Sequence, residues 1–436
     1  MVEPLRVGVA GLGTVGAALI AQIGKERDAL AARCGRRIEV VAVSARSRSK
    51  NRGVDLKKMK WFSDPVELAG YDGIDVFVEL MGGSGDPAKT AVEYALATGK
   101  SVVTANKALL AKHGFKMAQL AEKAGAALNY EAAVCAAVPV IKTLREGLAG
   151  NAIHRIYGIL NGTCNYILTR MEQEGLSYAD CLKDAQRLGY AEADPTFDVE
   201  GYDTAQKLAL LASLAFGTKV DESAIYVEGI SSIAPADLAA ADELGYRIKL
   251  LGVAVRTPKG IEQRVHPTMV RKDSSIAQVM GVTNAVTIDA EGINPITLVG
   301  PGAGGAATAS AVLSDIADVA RGLKGPPFGR PTAKLTAVQK APMQRHEGGY
   351  YIRLEARDKP GTAATIAKRL AEQDISLESI VQRHPKGETA KSKNGSVPVI
   401  LITYATSEDA VRKALAAVGR DKVISGRPQV IRIEKN

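Results

Sequence analysis

Asp203 and Lys207 stand four residues apart, a spacing that places both side chains on one face of a helix. A lysine held by acids in a closed site stays protonated and can deliver a proton in a transition state. Just upstream runs Gly189-Tyr190-Ala191-Glu192-Ala193-Asp194-Pro195-Thr196-Phe197-Asp198, where Glu192 and Asp198 can grip a substrate ammonium. Alone, an Asp–Lys pair at this spacing is usually a surface ion pair contributing about 0.3–0.5 kcal/mol. Here a run of acids precedes a lysine set in the very apolar helical stretch Leu208–Leu211, and a built site is the better reading. A second lysine, Lys107, follows a buried strand in Thr104-Ala105-Asn106-Lys107. Lysine is disfavoured at the positive end of a helix, so its presence there points to a role beside a cofactor or substrate.

The second chemical signal is Gly11-Leu12-Gly13-Thr14-Val15-Gly16, directly behind the apolar run Leu5–Ala10 and ahead of the helical stretch Ala17–Ile23. Strand, G-x-G-x-x-G and helix in that order seat a dinucleotide pyrophosphate on free N–H groups at the positive end of a helix dipole. After the second strand, where NAD-preferring folds carry an acid, the chain reads Ser44-Ala45-Arg46-Ser47-Arg48. Arg46 can pair with a 2′-phosphate, so NADP is expected, with NAD as the alternative.

These residues need a frame. Strand candidates Leu5–Ala10, Ile38–Ser44, Asp75–Leu80, Ser101–Thr104 and Ala126–Tyr130 alternate with helical patterns such as Pro87–Thr98 and Phe115–Ala124. Alternation of this kind predicts a doubly wound parallel sheet over residues 1–135, with ligands outside the carboxyl ends of the strands. Residues 136–299 read as a mixed α+β unit with helices at Val138–Leu148, Tyr166–Gln173, Tyr178–Leu188 and Gly201–Ala215. Strand-like stretches there are Ile153–Leu160, Gly252–Arg256, Ala285–Asp289 and Ile296–Val299. A proline-rich linker is expected over 321–349. From 350 to 436 the order is βαββαβ, a split-βαβ domain whose polar loop is Arg383–Ser396.

Composition narrows the function. With 46% hydrophobic and 24% charged residues the chain is globular, and its apolar runs are too short and broken to span a membrane. The chain enters its first strand at once, so no signal peptide is expected. Net charge is +9, but six Phe and one Trp, with no basic run among them, argue against nucleic acid and for anionic small molecules. Cys34, Cys135, Cys164 and Cys181 form no C-x-x-C pair, which favours a reducing, cytoplasmic setting. His113, His154, His266, His346 and His384 are scattered and take no metal or catalytic role.

Taken in order, Gly11–Gly16, Thr104–Lys107, Asn161-Gly162-Thr163-Cys164-Asn165-Tyr166-Ile167-Leu168, Ala191-Glu192-Ala193-Asp194-Pro195 with Asp198, Asp203 and Lys207, and Gly300-Pro301-Gly302-Ala303-Gly304-Gly305 resemble homoserine dehydrogenase over residues 1–320. The tail from 350 resembles an ACT domain, and no aspartate kinase domain precedes the glycine turn, as in the monofunctional form. The resemblance implies reversible, NAD(P)H-dependent reduction of L-aspartate 4-semialdehyde to L-homoserine in threonine, methionine and isoleucine biosynthesis. It implies Lys207 as proton donor, Lys107 as second lysine near cofactor and substrate, and Asp203 beside them. Glu192 would hold the substrate amino group, and Thr104 and Gly302 would contact the cofactor, the latter on a segment (300–320) that returns to the nucleotide domain. It further implies a monovalent cation such as Na⁺ at Glu131 with backbone oxygens of Val134, Ala136 and Val138. At that site Cys135-Ala136-Ala137 stands where the family is richer in glycine. An amino-acid effector, threonine first, is implied at the ACT domain, which also predicts a homodimer or homotetramer. Two rivals remain: an aldehyde-oxidising enzyme, for which Cys135 would be the nucleophile though no histidine lies near it in sequence, and a binding regulator without turnover.

Overall fold

The computed structural model describes residues 2–341, 347–382 and 396–434; His346, His384 and residues 383–395 of the expected polar loop lie outside them. Residues up to 129 form β1 (Leu5–Ala10), α1 (Thr14–Lys25), α2 (Arg27–Cys34), β2 (Ile38–Ser44), β3 (Lys60–Phe62), α3 (Pro65–Gly70), β4 (Val76–Glu79), α4 (Ala88–Ala97), β5 (Ser101–Thr104), α5 (Lys107–Ala124) and β6 (Leu128–Asn129). The strands make one parallel sheet in the order β3-β2-β1-β4-β5-β6. Both faces are covered, which is why β4 and β5 are buried at every position. Strand order reverses between β1 and β4, the switch point outside whose carboxyl ends ligands bind in sheets of this kind.

The helix predicted at 115–124 begins earlier, at Lys107, because Asn106 caps it: the Asn106 Oδ1 accepts from the Leu109 amide at 3.0 Å. It stops at Gly125, which takes a left-handed φ of 62°. The helix expected over 138–148 is instead a short α6 (Val140–Lys142) running into one π turn at Thr143–Gly147.

The middle unit continues with β7 (Ile153–Ile159), α7 (Gly162–Glu174), α8 (Tyr178–Arg187), α9 (Thr196–Val199), α10 (Tyr202–Phe216), β8 (Tyr226–Val227), α11 (Pro235–Glu243), β9 (Tyr246–Thr257), β10 (Gly260–Arg271), β11 (Thr283–Ala290), β12 (Ile296–Pro301) and α12 (Gly305–Ala320). The last of these returns to the first sheet: Ala309, Val312 and Ile316 share a core with Leu19, Ile20 and Ile23 of α1. The C-terminal unit is β13 (Glu347–Arg357), α13 (Thr362–Ala371), β14 (Leu377–Gln382), β15 (Ser396–Thr403), β16 (Thr406–Ser407), α14 (Glu408–Arg420) and β17 (Ile424–Ile433).

Two features depart from a plain string of units. Strands of the middle and C-terminal units form one continuous sheet, because β17 pairs in parallel with β10 at Thr268↔Arg432 and Met269↔Ile433. The stretch after α12 is docked: Phe328 is buried against Tyr130, whose hydroxyl donates to the Pro327 carbonyl at 2.9 Å. Glu122 then accepts from both the amide and the hydroxyl of Thr332.

Candidate active site

Asp203 sits on the first turn of α10, 5% exposed, and both lysines converge on it. Lys207 Nζ lies 2.7 Å from Asp203 Oδ2, and Lys107 Nζ lies 3.0 Å from Oδ1. Two ammonium groups thus share the two oxygens of one buried carboxylate. Lys207 Nζ also donates to the Leu160 carbonyl at 2.7 Å, and Asn284 Nδ2 fixes the same carbonyl at 3.0 Å. Asn161 Nδ2 bridges the acids, 2.8 Å from Asp198 Oδ1 and 2.9 Å from Asp203 Oδ2, while its Oδ1 caps α7 through the Cys164 amide.

The electrostatics follow from burial and pairing. For Asp203 burial opposes the charge, but Lys207 and Lys107 outweigh it and hold the carboxyl well below the usual carboxylate range. For Lys207 burial also opposes the charge, and the Asp203 carboxylate reverses it, so the ammonium is held above its ordinary value. Asp198 moves the other way, raised by burial and by the neighbouring Asp203 charge. Cys135 is buried, and burial pushes its thiol up. A thiol held protonated is a poor nucleophile.

Lys107 owes its place to residues that sequence reading passed over. Glu79, fully buried at the end of β4, accepts from the amides of Met81 and Gly82 and from the Thr104 hydroxyl at 2.6 Å. Thr104 Oγ1 in turn accepts from the Asn106 amide, and Asn106 Nδ2 donates to the Gly83 carbonyl at 2.7 Å. Thr104 is therefore turned inward, holding the start of α5. A buried carboxylate ending a strand at the ligand side of a parallel sheet was the available signal for Glu79.

The glycine turn forms as expected. A Cβ on Gly11 (φ 100°) would strike the Leu80 carbonyl, and one on Gly16 would strike Gly11 O, so neither site admits a side chain. A Cβ on Gly13 would meet nothing within 4 Å, and α1 starts there without a side-chain cap. Open space over uncapped helix amides fits a dinucleotide pyrophosphate. Leu12, Thr14 and Val15 complete the turn; Arg52, which sequence reading missed, donates to the Leu12 carbonyl at 3.1 Å and lies over Trp61. Arg46 is exposed just past the end of β2. Gly302 packs against Asn284, so the returning segment touches the group that fixes Leu160.

Two expected groups stand apart from the cluster. Glu192 is exposed on the loop before α9, where Gln186 Nε2 donates to its backbone carbonyl. Among the described residues its carboxylate has no ion pair. The Glu131 carboxylate accepts from the amides of Ile141 and Lys142, one on each oxygen and both at 2.9 Å, at the start of α6, which leaves each oxygen a further lone pair. The loop beyond it curls through left-handed Cys135 (φ 56°) and Ala136 (φ 42°). The Val138 carbonyl there accepts from the Val140 amide at 2.7 Å.

Similarity to known proteins decides the family. Models described as the NAD binding domain of homoserine dehydrogenase, homoserine dehydrogenase and the ACT domain match residues 11–131, 139–317 and 350–420. The homoserine dehydrogenase of Neisseria gonorrhoeae is 42% identical over 438 residues, covering 99% of each chain. That of Pseudomonas aeruginosa is 43% identical over 440 residues with the same coverage. This chain belongs to the homoserine dehydrogenase family. It is an NAD(P)-dependent oxidoreductase acting on a CH–OH group, with an amino-acid-binding ACT domain. The crystal structure of a homoserine dehydrogenase from Thiobacillus denitrificans matches with TM-score 0.92 and 40% identity over 99% of this chain and 98% of that one. A hyperthermophilic archaeal homoserine dehydrogenase in complex with NADPH is 27% identical, with TM-score 0.63, over 74% of this chain and 99% of that one. Among the described residues no helix is long and apolar enough to cross a membrane.

Proposed function

We propose that Lys207 is the proton donor in the interconversion of L-aspartate 4-semialdehyde and L-homoserine, with Lys107 and Asp203 completing the catalytic group. The observation that carries this reading is the pair of lysines on opposite oxygens of one buried carboxylate. A nicotinamide cofactor seated on the Gly11–Gly16 turn would supply the hydride that reduces the aldehyde, and the substrate oxygen would then need a proton. Lys207 gives that oxygen a proton: an N–H bond breaks, an O–H bond forms, and the amine is reprotonated from solvent. Lys107 sets a second positive charge near the developing oxyanion, stabilisation that is preorganised and so needs no rearrangement during reaction. Asp203 aligns both ammonium groups and keeps that of Lys207 charged. Glu192, whose exposed carboxylate has no ion pair among the described residues, and Asp198 receive the substrate ammonium. Lys207→Ala should lower kcat by roughly 10²–10⁴, read as loss of 340 nm absorbance, while cofactor affinity by fluorescence titration stays within a few fold. Activity within threefold of the parent chain would overturn the assignment.

The cofactor is NADPH in preference to NADH, held by Gly11–Gly16, by Gly302 and, at the 2′-phosphate, by Arg46. Arg46 is exposed and free of ion pairs among the described residues, and no acid neighbours it in sequence. The archaeal relative in complex with NADPH supports the choice. Arg46→Ala should reduce the NADPH-to-NADH ratio of kcat/KM several fold; an unchanged ratio refutes this part alone. A monovalent cation such as Na⁺ is held by Glu131 with the carbonyls of Val134, Ala136 and Val138; those of Val134 and Ala136 accept no hydrogen bond among the described residues, and each Glu131 oxygen accepts one amide and keeps a lone pair. Four free, buried cysteines suit a reducing cytoplasm. The working divisions are 1–135 with 300–320 for the nucleotide, 136–299 for catalysis and assembly as a homodimer or homotetramer, 321–349 as connector and 350–436 for regulation, with threonine as effector.

A further inference from the structure

A cavity of about 680 Å³ lies where the C-terminal unit meets the catalytic sheet. Its walls come from the loop after β8, the residue following α9, and the segments around α14 and β17. Much of the charge there is already spent inside the fold. Arg432 is buried between Glu408 at 2.6 Å and Glu228 at 2.7 Å. Arg412 pairs with Glu408 at 2.9 Å, and Arg353 with Asp237 at 2.7 Å. Two lining charges are left over: Glu200 on the catalytic side and Arg427 on the regulatory side carry no ion pair among the described residues. Ser231 and Ser232 add exposed hydroxyls.

We propose that this seam cavity is the amino-acid effector site, taking a free zwitterionic α-amino acid with its carboxylate at Arg427 and its ammonium at Glu200. The proposal rests on the effector reading above and gives it a place within one chain. One cation and one anion, each without an ion pair among the described residues and each contributed by a different unit to the same cavity, match the two charges that every α-amino acid carries. The cavity also touches the chemistry. Glu200 directly follows α9, and the Ile230 amide, next to the lining residue Gly229, donates to the Val199 carbonyl of α9 at 2.9 Å. On that helix Asp198 meets Asn161, and Asn161 meets Asp203. A ligand that moves Glu200 therefore moves the helix that sets the spacing of the two catalytic-side acids. Inhibition follows when the ligand binds one position of α9 more tightly than the other.

The test uses the full-length chain with L-threonine as probe, followed by calorimetry and by the rate of NADPH oxidation. Arg427→Ala should weaken threonine binding at least tenfold and raise the inhibitory concentration in step, with the uninhibited kcat unchanged. Ser231→Trp, which fills the cavity from an exposed position, should do the same. Threonine methyl ester, lacking the carboxylate charge, should not bind the parent chain. If the parent chain responds to threonine while both variants respond as it does, the effector sits elsewhere and the seam site falls while the effector reading stands. If the parent chain neither binds nor responds to threonine, methionine, isoleucine or lysine at millimolar concentration, the effector reading falls and the seam site with it.

Discussion

At Lys207 burial disfavours the charge and Asp203 restores it, so the protonation state of the proposed donor depends on one carboxylate. The reductive reaction needs the ammonium, and the folded-state pKa lies above the ordinary lysine value. Its rate should therefore hold up to about pH 10 and fall only above that. In Asp203→Asn the counter-charge is gone while the burial stays, so the alkaline limb of kcat should move down by at least one pH unit. A limb that does not move means the proton comes from another group. The sign for stability is opposite at Asp203 itself. Its pKa is depressed in the folded state, so its stabilising effect is present above about pH 4 and is lost as pH falls below that range. Cys135 belongs to this scale too: a buried, protonated thiol supports lysine chemistry over a thioester route, and iodoacetamide should leave turnover intact.

Elements set these residues in place through close backbone approaches and anchored loops. In Gly16→Ala the new methyl would press on the Gly11 carbonyl, pushing α1 away from the turn. Overpacking of this kind costs about 1–3 kcal/mol, and the cofactor dissociation constant should rise tenfold or more with a lower Tm. Titration of the variant within twofold of the parent would show that the turn tolerates the shift. The connector gives a second case. Phe328 is 1% exposed, packed on Tyr130 and Gly114, so 321–341 is part of the folded body and not a tether. Phe328→Ala should cost about 3–5 kcal/mol in urea unfolding while kcat at 25 °C holds. A loss under 1 kcal/mol would contradict the docking.

Across the whole molecule, the shared sheet ties the C-terminal unit to the middle one. β17 lies against β10, Glu434 pairs with Arg264 at 2.8 Å and with Arg155 at 3.0 Å, and Asp237 of α11 takes both Arg353 and the Tyr351 hydroxyl of β13. Removing residues 342–436 would strip β10 of its neighbour and leave Asp237 buried without these partners, a costly arrangement. The shortened chain should keep its catalytic residues, ignore threonine and unfold at a lower temperature, as differential scanning calorimetry would record. An unchanged Tm would mean that the seam contributes nothing to stability.

The sequence by itself determined the motifs and most local elements. The glycine turn, the Asp203–Lys207 spacing, the alternation before residue 129 and the βαββαβ tail are local patterns, and local patterns follow from spacing, capping and period. It did not disclose β10, where Glu262, Gln263, Arg264 and His266 break the alternation of a half-exposed strand. In the fold that strand is buried on both faces, and Arg264 is paired inside with Glu262, His266 and Glu434. Nor did it disclose that Lys107 reaches Asp203, that Glu79 holds the start of α5, or that the Glu131 carboxylate accepts from the amides of α6. Those contacts join residues distant in sequence. Only the packing of α5 against α10, of β4 beside β5 and of β10 beside β17 brings them within hydrogen-bond reach, and no local period records which strands and helices become neighbours.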